Sequence, residues 1–211
     1  QFNTAYGHHA MCDQTTGKGN TAFGACALRN NTTSGYNIAV GACALFDLNG
    51  NPGCANVAIG YRSQANTTTG YENHSIGTQS LHENTTGYKN QVIGLQAMYW
   101  NTTGNCNIAI GHVAMGSNTT GHWNTALGFG ANQGNTTGTC NVGLGICANR
   151  CVSTGARNVS IGNTAGSAII TGCDNTIIGH GTTGTCSTFC NQILIGCGVT
   201  GAGSKFFSII Y

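Results

Sequence analysis

The chain has 211 residues, enough for one domain with a continuous core, and carries seven Lys and Arg against five Asp and Glu, a formal charge of +2. So small a positive charge argues against a nucleic-acid partner gripped by basic patches, and no apolar run is long enough for a membrane span. With 34 Gly, 29 Thr and 25 Asn against one Pro, the composition excludes a helical bundle, because Gly costs about 1 kcal/mol relative to Ala in a helix and Asn and Thr bond to their own backbone instead.

Taken in chain order, a motif Asn-x-Ala-apolar-Gly ends at Gly7, Gly24, Gly41, Gly60, Gly77, Gly94, Gly111, Gly128, Gly145, Gly162, Gly179 and Gly196. Every interval is 17 residues except the 19 between Gly41 and Gly60, which contain the turn-rich segment Asn49-Gly50-Asn51-Pro52-Gly53. No helical period is present, so each unit reads as two or three short strands joined by turns. Units this small bury a face only by stacking. The fold class expected is all-β: a single parallel β-solenoid of about twelve 17-residue coils over residues 1–200, forming a rod of roughly 55–60 Å, with 201–211 as a C-terminal capping or docking strand.

The position before each motif glycine is large and apolar throughout, from Tyr6 and Phe23 to Ile178 and Ile195, and the adopted reading buries this column. The position four before the glycine is Asn in all units but one, where Gln192 stands, giving a column of amides able to bond from coil to coil. An alternative buries the Ala column, Ala5, Ala22, Ala39, Ala58, Ala109 and Ala126, inside a very thin coil and turns the large column toward a partner chain. That alternative makes oligomerisation obligatory, because the stripe would exceed the apolar area a soluble monomer normally exposes.

Asn124-Thr-Ala-Leu-Gly128 and Asn107-Ile-Ala-Ile-Gly-His-Val-Ala-Met115 resemble the head repeats of trimeric autotransporter adhesins, and the spacer Asn101-Thr-Thr-Gly104 resembles repeats in viral tail fibres. The resemblance spans all the units and implies a β-solenoid used for extracellular reach, binding or both. The 17-residue period and the cysteines depart from those families.

Twelve cysteines, an even number, point to an oxidising compartment. Cys26 and Cys43 share a column on neighbouring coils, as do Cys173 and Cys190, so disulfides are expected at both pairs. Asn-x-Ser/Thr acceptors at Asn31, Asn66, Asn84, Asn101, Asn118 and Asn135 fall in turns, where N-glycosylation is expected. Asp13, Asp47 and Glu83 share a column on alternate coils, about 10 Å apart, which is marginal for paired carboxylate chemistry. Gly179-His-Gly-Thr-Thr-Gly184 matches a dinucleotide-binding string, but no helix can follow it, and the histidines show no metal-ligand spacing. No catalytic residue, metal or cofactor is therefore expected.

The tail residues Phe206, Phe207, Ile209, Ile210 and Tyr211 form a segment of high β-propensity, suited to docking on a neighbouring subunit's first coil. The function expected is a non-enzymatic, extracellular structural protein, a subunit of a fibre or surface appendage that polymerises head to tail. The rival is an adhesin head or viral tail-fibre module, trimeric and binding a surface glycan or receptor.

Overall fold

In the computed structural model, residues 2–49, 55–183 and 187–198 are described. Twelve three-residue strands run from β1 (Thr4–Tyr6), β2 (Thr21–Phe23) and β3 (Ile38–Val40) to β12 (Ile193–Ile195) in one parallel sheet whose spatial order is the chain order. Equivalent motif positions pair throughout, as in Ile108↔Thr125, Ala109↔Ala126 and Ile110↔Leu127. The chain is a parallel β-solenoid with eleven turns between the first strand and the last. Register survives the longer interval, since Ala39 pairs with Ala58; the turn Gly50–Gly53 itself lies outside the described residues.

Each coil contributes one strand, not the two or three expected. The remainder is turn, because non-glycine residues recur there with left-handed backbone, among them Leu45 (φ 49°), Met98 (φ 49°) and Trp123 (φ 59°). Each such residue costs of order 1–2 kcal/mol, and ladder bonds between coils offset it, for example Met98 N–H to Ala114 O at 3.0 Å. The motif glycine is required by space as well: at Gly128 (φ 137°) a Cβ would lie 2.6 Å from the carbonyl oxygen of Gly145.

The Ala column, not the large apolar column, fills the coil. Ala22, Ala39, Ala58, Ala109 and Ala126 are buried, while Phe23, Ile59, Ile76, Ile93 and Leu127 are exposed. The adopted burial reading is thereby overturned in favour of its alternative. In the coils with Ala on the strand, the interior of so thin a coil is already occupied by a large side chain four residues after the preceding motif glycine, as at Leu28, Leu45, Met98 and Met115, leaving only a small volume on the strand.

Inward side chains meet across one coil step at an offset of eleven residues: Gln64 Nε2 donates to Ser75 Oγ at 2.9 Å, and Ser160 Oγ donates to Asn149 Oδ1 at 2.6 Å. The same offset relates Met98 to Ala109 and Gly166 to Ile177, so that volume varies in opposite senses within these two pairs. The two polar pairs also divide the core. One apolar cluster ends at Ala58, a second spans Leu81 to Ala131, and a third begins at Val152.

Two amide ladders run along the rod. In the expected one, Asn124 accepts nothing from Asn107 but gives it both a backbone N–H (3.0 Å) and a side-chain N–H (3.2 Å), and its Nδ2 also reaches Gly138 O at 2.9 Å.

Candidate functional site

The strands turn two columns of side chains outward. The column before the motif glycine is apolar from end to end and exposed or half-buried, with Ile93 45% and Leu127 47% accessible while Ala109, between outward Ile108 and Ile110, is fully buried. The column three before the glycine adds Ile38, Val57, Ile108, Val142, Val159 and Ile193, and Tyr61, Leu95, Phe129 and Ile146 widen the face just after the glycine. No Asp, Glu, Lys or Arg stands on the two strand columns. Apart from Thr hydroxyls and Tyr6, their polar side chains are His74 and Gln91, on neighbouring coils. Beside these two lies a shallow cavity of about 210 Å³ lined also by Val57, Ile76, Ile93 and Ile110.

Charge sits on the rim, five residues before the glycine. Lys89 lies 3.8 Å from Glu72, and Arg157 grips Asp174 through two bonds, Nε to Oδ1 at 2.6 Å and Nη2 to Oδ2 at 2.8 Å. The hydrogen bond from Arg157 holds the Asp174 carboxyl below the usual carboxylate range, and the same pair raises the guanidinium further above its already high value.

A groove along another side of the rod contains two hollows. One, of about 320 Å³, is lined by Tyr99, Trp100, Gln96, Val113, Ser117 and Gln133; Trp100 is exposed and meets Tyr99 edge-on at 4.8 Å. The other, of about 330 Å³, is lined by Phe46, Asp47, Arg62, Asn66 and His82 among others. The carboxylates of this groove are held apart from one another: Asn30 Nδ2 donates to Asp47 and Asn66 Nδ2 to Glu83, both at 2.7 Å, and Glu83 also pairs with His82 Nδ1 at 2.9 Å. Among the described residues no three His, Cys, Asp or Glu gather as metal ligands, and no helix is long and apolar enough to cross a membrane.

The expected glycosylation sites divide. Asn31, Asn84, Asn101, Asn118 and Asn135 are fully buried, correcting their assignment to the surface. The Asn of each Asn-Thr-Thr-Gly turn points inward and forms the second ladder, with Asn101 donating to Asn84, Asn118 to Asn101 and Asn135 to Asn118 at 2.7–2.8 Å. The Nδ2 that would carry a sugar also donates to the carbonyl of its own turn glycine, as from Asn118 to Gly121 at 3.1 Å. The ladder stops where the next coil presents Val152, leaving Asn135 Oδ1 without a partner. Asn66 differs: Thr67 takes the inward place, and Asn66 stays half-buried at the groove.

The expected disulfides are open. Cys26, Cys43, Cys173 and Cys190 are free thiols, as are the other described cysteines. The columns are as read, with Cys173 N–H reaching Cys190 Sγ at 3.1 Å, but in-register parallel neighbours point their Cα–Cβ bonds the same way. Their Cβ atoms therefore stay near the coil spacing of about 4.8 Å, beyond the ~3.8 Å that a disulfide prefers. Phe206, Phe207, Ile209, Ile210 and Tyr211 lie outside the described residues.

Comparison with protein-family models, curated proteins and solved structures finds no match to this chain.

The apolar face was hidden from sequence reasoning by a one-position ambiguity. The usable signal was volume: the position two before each glycine is Ala, Ser or Gly in most units, and a second column of Ala or Ser follows three residues after it.

Proposed function

We propose that this chain is a non-enzymatic structural module of an extracellular fibre or surface appendage, whose rods associate side by side through the apolar sheet face. The observation that carries the proposal is the uninterrupted row of large apolar side chains before the motif glycines, open to water on a face without charge. A soluble monomer seldom leaves more than a few hundred Å² of contiguous apolar surface exposed. This stripe runs the full rod, about 50 Å by eleven coil steps, and two outward residues on each strand give it a scale comparable with the roughly 800 Å² per partner of a stable interface. The absence of a carboxylate pair in the groove, where Asp47 and Glu83 are each bound to an Asn amide instead, supports a non-enzymatic role, and the resemblance of the repeats to adhesin heads and tail fibres supports an extracellular one.

The experiment is mass photometry of the reduced protein beside the triple variant Ile59→Lys, Ile93→Lys, Leu127→Lys. The native chain is expected at a multiple of 21.6 kDa and the variant at a single chain mass. A native particle of one chain contradicts the proposal.

The groove supports a second reading, recognition of a surface glycan. Trp100 offers an exposed ring face beside the amides of Gln96 and Gln133, the pairing of stacking surface and planar donors that suits a sugar. Quenching or enhancement of Trp100 fluorescence by an oligosaccharide, absent in Trp100→Ala, checks it.

A further inference from the structure

We infer that the rods pair antiparallel about a two-fold axis running along the strands between β5 (His74–Ile76) and β6 (Gln91–Ile93), with His74 bonded to Gln91 and Glu72 beside Lys89 across the interface. The inference rests on the side-by-side reading above and names its partner: a second copy of this chain, inverted end for end.

A second sheet can face this one in two ways. Turned about the rod axis, the copy lies parallel, but its strands then run the opposite way, and the column three before the glycine meets the column just before it. His74 and Gln91 would face Ile76 and Ile93 at equal height, or other purely apolar members of that column if displaced by up to three coils. Nothing there satisfies them, and a buried amide facing hydrocarbon is penalised. Turned about the strand direction, the copy lies antiparallel with its strands running the same way, and every column meets itself. His74 and Gln91, exposed on neighbouring strands, then have polar partners in their own column.

Charge fixes the register. Glu72 and Lys89 stand on the rim of the same two coils, each about half exposed. If β5 meets β5, Glu72 faces Glu72 and Gln91 faces Val57; if β6 meets β6, Lys89 faces Lys89 and His74 faces Ile108. With full overlap β6 meets β7 (Ile108–Ile110), and Gln91 faces Ile108. Only β5 on β6 pairs His74 with Gln91 and Glu72 with Lys89, each twice by symmetry. The amide carries donor and acceptor, and neutral imidazole carries one of each, so the first pair is matched. The second sets charges of alternating sign around the axis, where like charges would be penalised. Around them Ile76 faces Ile93, Ile59 faces Ile110 and Val57 faces Ile108, apolar against apolar. The shallow cavity beside His74 and Gln91 leaves both room to turn toward the copy. Twisted sheets diverge away from such an axis, so β5 and β6 are held closest, where buried polar groups most need partners. Ten of the twelve coils overlap, which covers most of the apolar row, and an isologous interface of this kind closes at two chains.

The test uses the full chain under reducing conditions. Ordinary and heavy-nitrogen batches are unfolded together, refolded, treated with a zero-length carbodiimide that joins carboxyl to amine, and digested for mass spectrometry. A Glu72–Lys89 link between one light and one heavy peptide is expected, which a bond within one chain cannot give. Sedimentation is expected to find two chains. Glu72→Lys and Lys89→Glu exchange side chains that this rim already carries on left-handed backbone, φ 53° and 57°, so folding is preserved, and circular dichroism checks it. Each variant alone sets like charges around the axis, and its dissociation constant is expected to rise roughly 5-fold or more. An equimolar mixture of the two restores native affinity. Their formal charges, +4 and 0, lie two units either side of the native +2, so no net attraction between the chains accounts for the rescue. A two-chain particle without the mixed-isotope link, a mixture no tighter than either variant, or a particle of three or more chains overturns the antiparallel arrangement alone. A native particle of one chain removes the side-by-side reading with it.

Discussion

Asn118 shows how much one side chain holds in this chain. Buried completely, it donates to Asn101 Oδ1 and to Gly121 O, and its own oxygen receives Asn135 Nδ2. Asn118→Ala leaves Asn101 Oδ1 without its donor and takes one acceptor from Asn135, and buried groups so abandoned cost about 1–3 kcal/mol each. A loss of about 2–4 kcal/mol is expected from urea midpoints, against little change for Thr120→Ala, exposed two positions along the same turn. At the surface, Arg157 makes a separate prediction. A carboxyl held low in the folded state adds stability that is present above the unfolded pKa, about 3.9, and is lost as pH falls through the folded value. NMR titration is therefore expected to find Asp174 deprotonated below the range of an ordinary Asp, and Arg157→Gln to return it upward. An unchanged midpoint in Arg157→Gln contradicts the assignment.

At the scale of the element, the coil is a volume problem. Where Ala lies inside the strand, the residue four past the preceding motif glycine is Leu or Met, and where Ile177 lies inside, that residue is Gly166. Ala109→Ile is expected to destabilise by about 1–3 kcal/mol through overpacking against Met98. Adding Met98→Gly to that variant should cost less than it does in the native chain, with a coupling of about 0.5–3 kcal/mol in a double-mutant cycle. Additive effects would remove the proposed contact. The period, the parallel sheet and the Asn column were legible in the sequence, because repetition at seventeen residues forces identical side chains to stack. What faces inward was not, because three-residue strands offer too short an alternation to distinguish the Ala column from the Ile column. The turn Asn residues misled for a related reason. Asn-Thr-Thr-Gly reads as a solvated turn, yet in a stacked coil its first side chain closes the core and only the threonines remain outside. The cysteine columns were legible and their chemistry was not, since sharing a column sets the distance between Cα atoms but not the convergence of the bonds that leave them.

Over the whole molecule, the polar pairs Gln64–Ser75 and Asn149–Ser160 divide the core into three apolar segments, and contacts otherwise join only successive strands. A rod of this kind opens from its ends. Amide exchange is expected to be slowest in β6 (Gln91–Ile93) and in β7 (Ile108–Ile110), inside the central segment, and fastest in β1 and β12, which among the described residues pair with a strand on one side only. The same geometry links fold to the proposed function: a stack whose sheet face is apolar over its full length would gain a second layer by meeting its own copy. Density for the assembled native particle at side-chain resolution tests this most directly. The account predicts Ala109 enclosed within a coil, with Ile76, Ile93 and Ile110 packed between chains. Density with those isoleucines inside a coil, or facing solvent in a particle held together elsewhere, contradicts it.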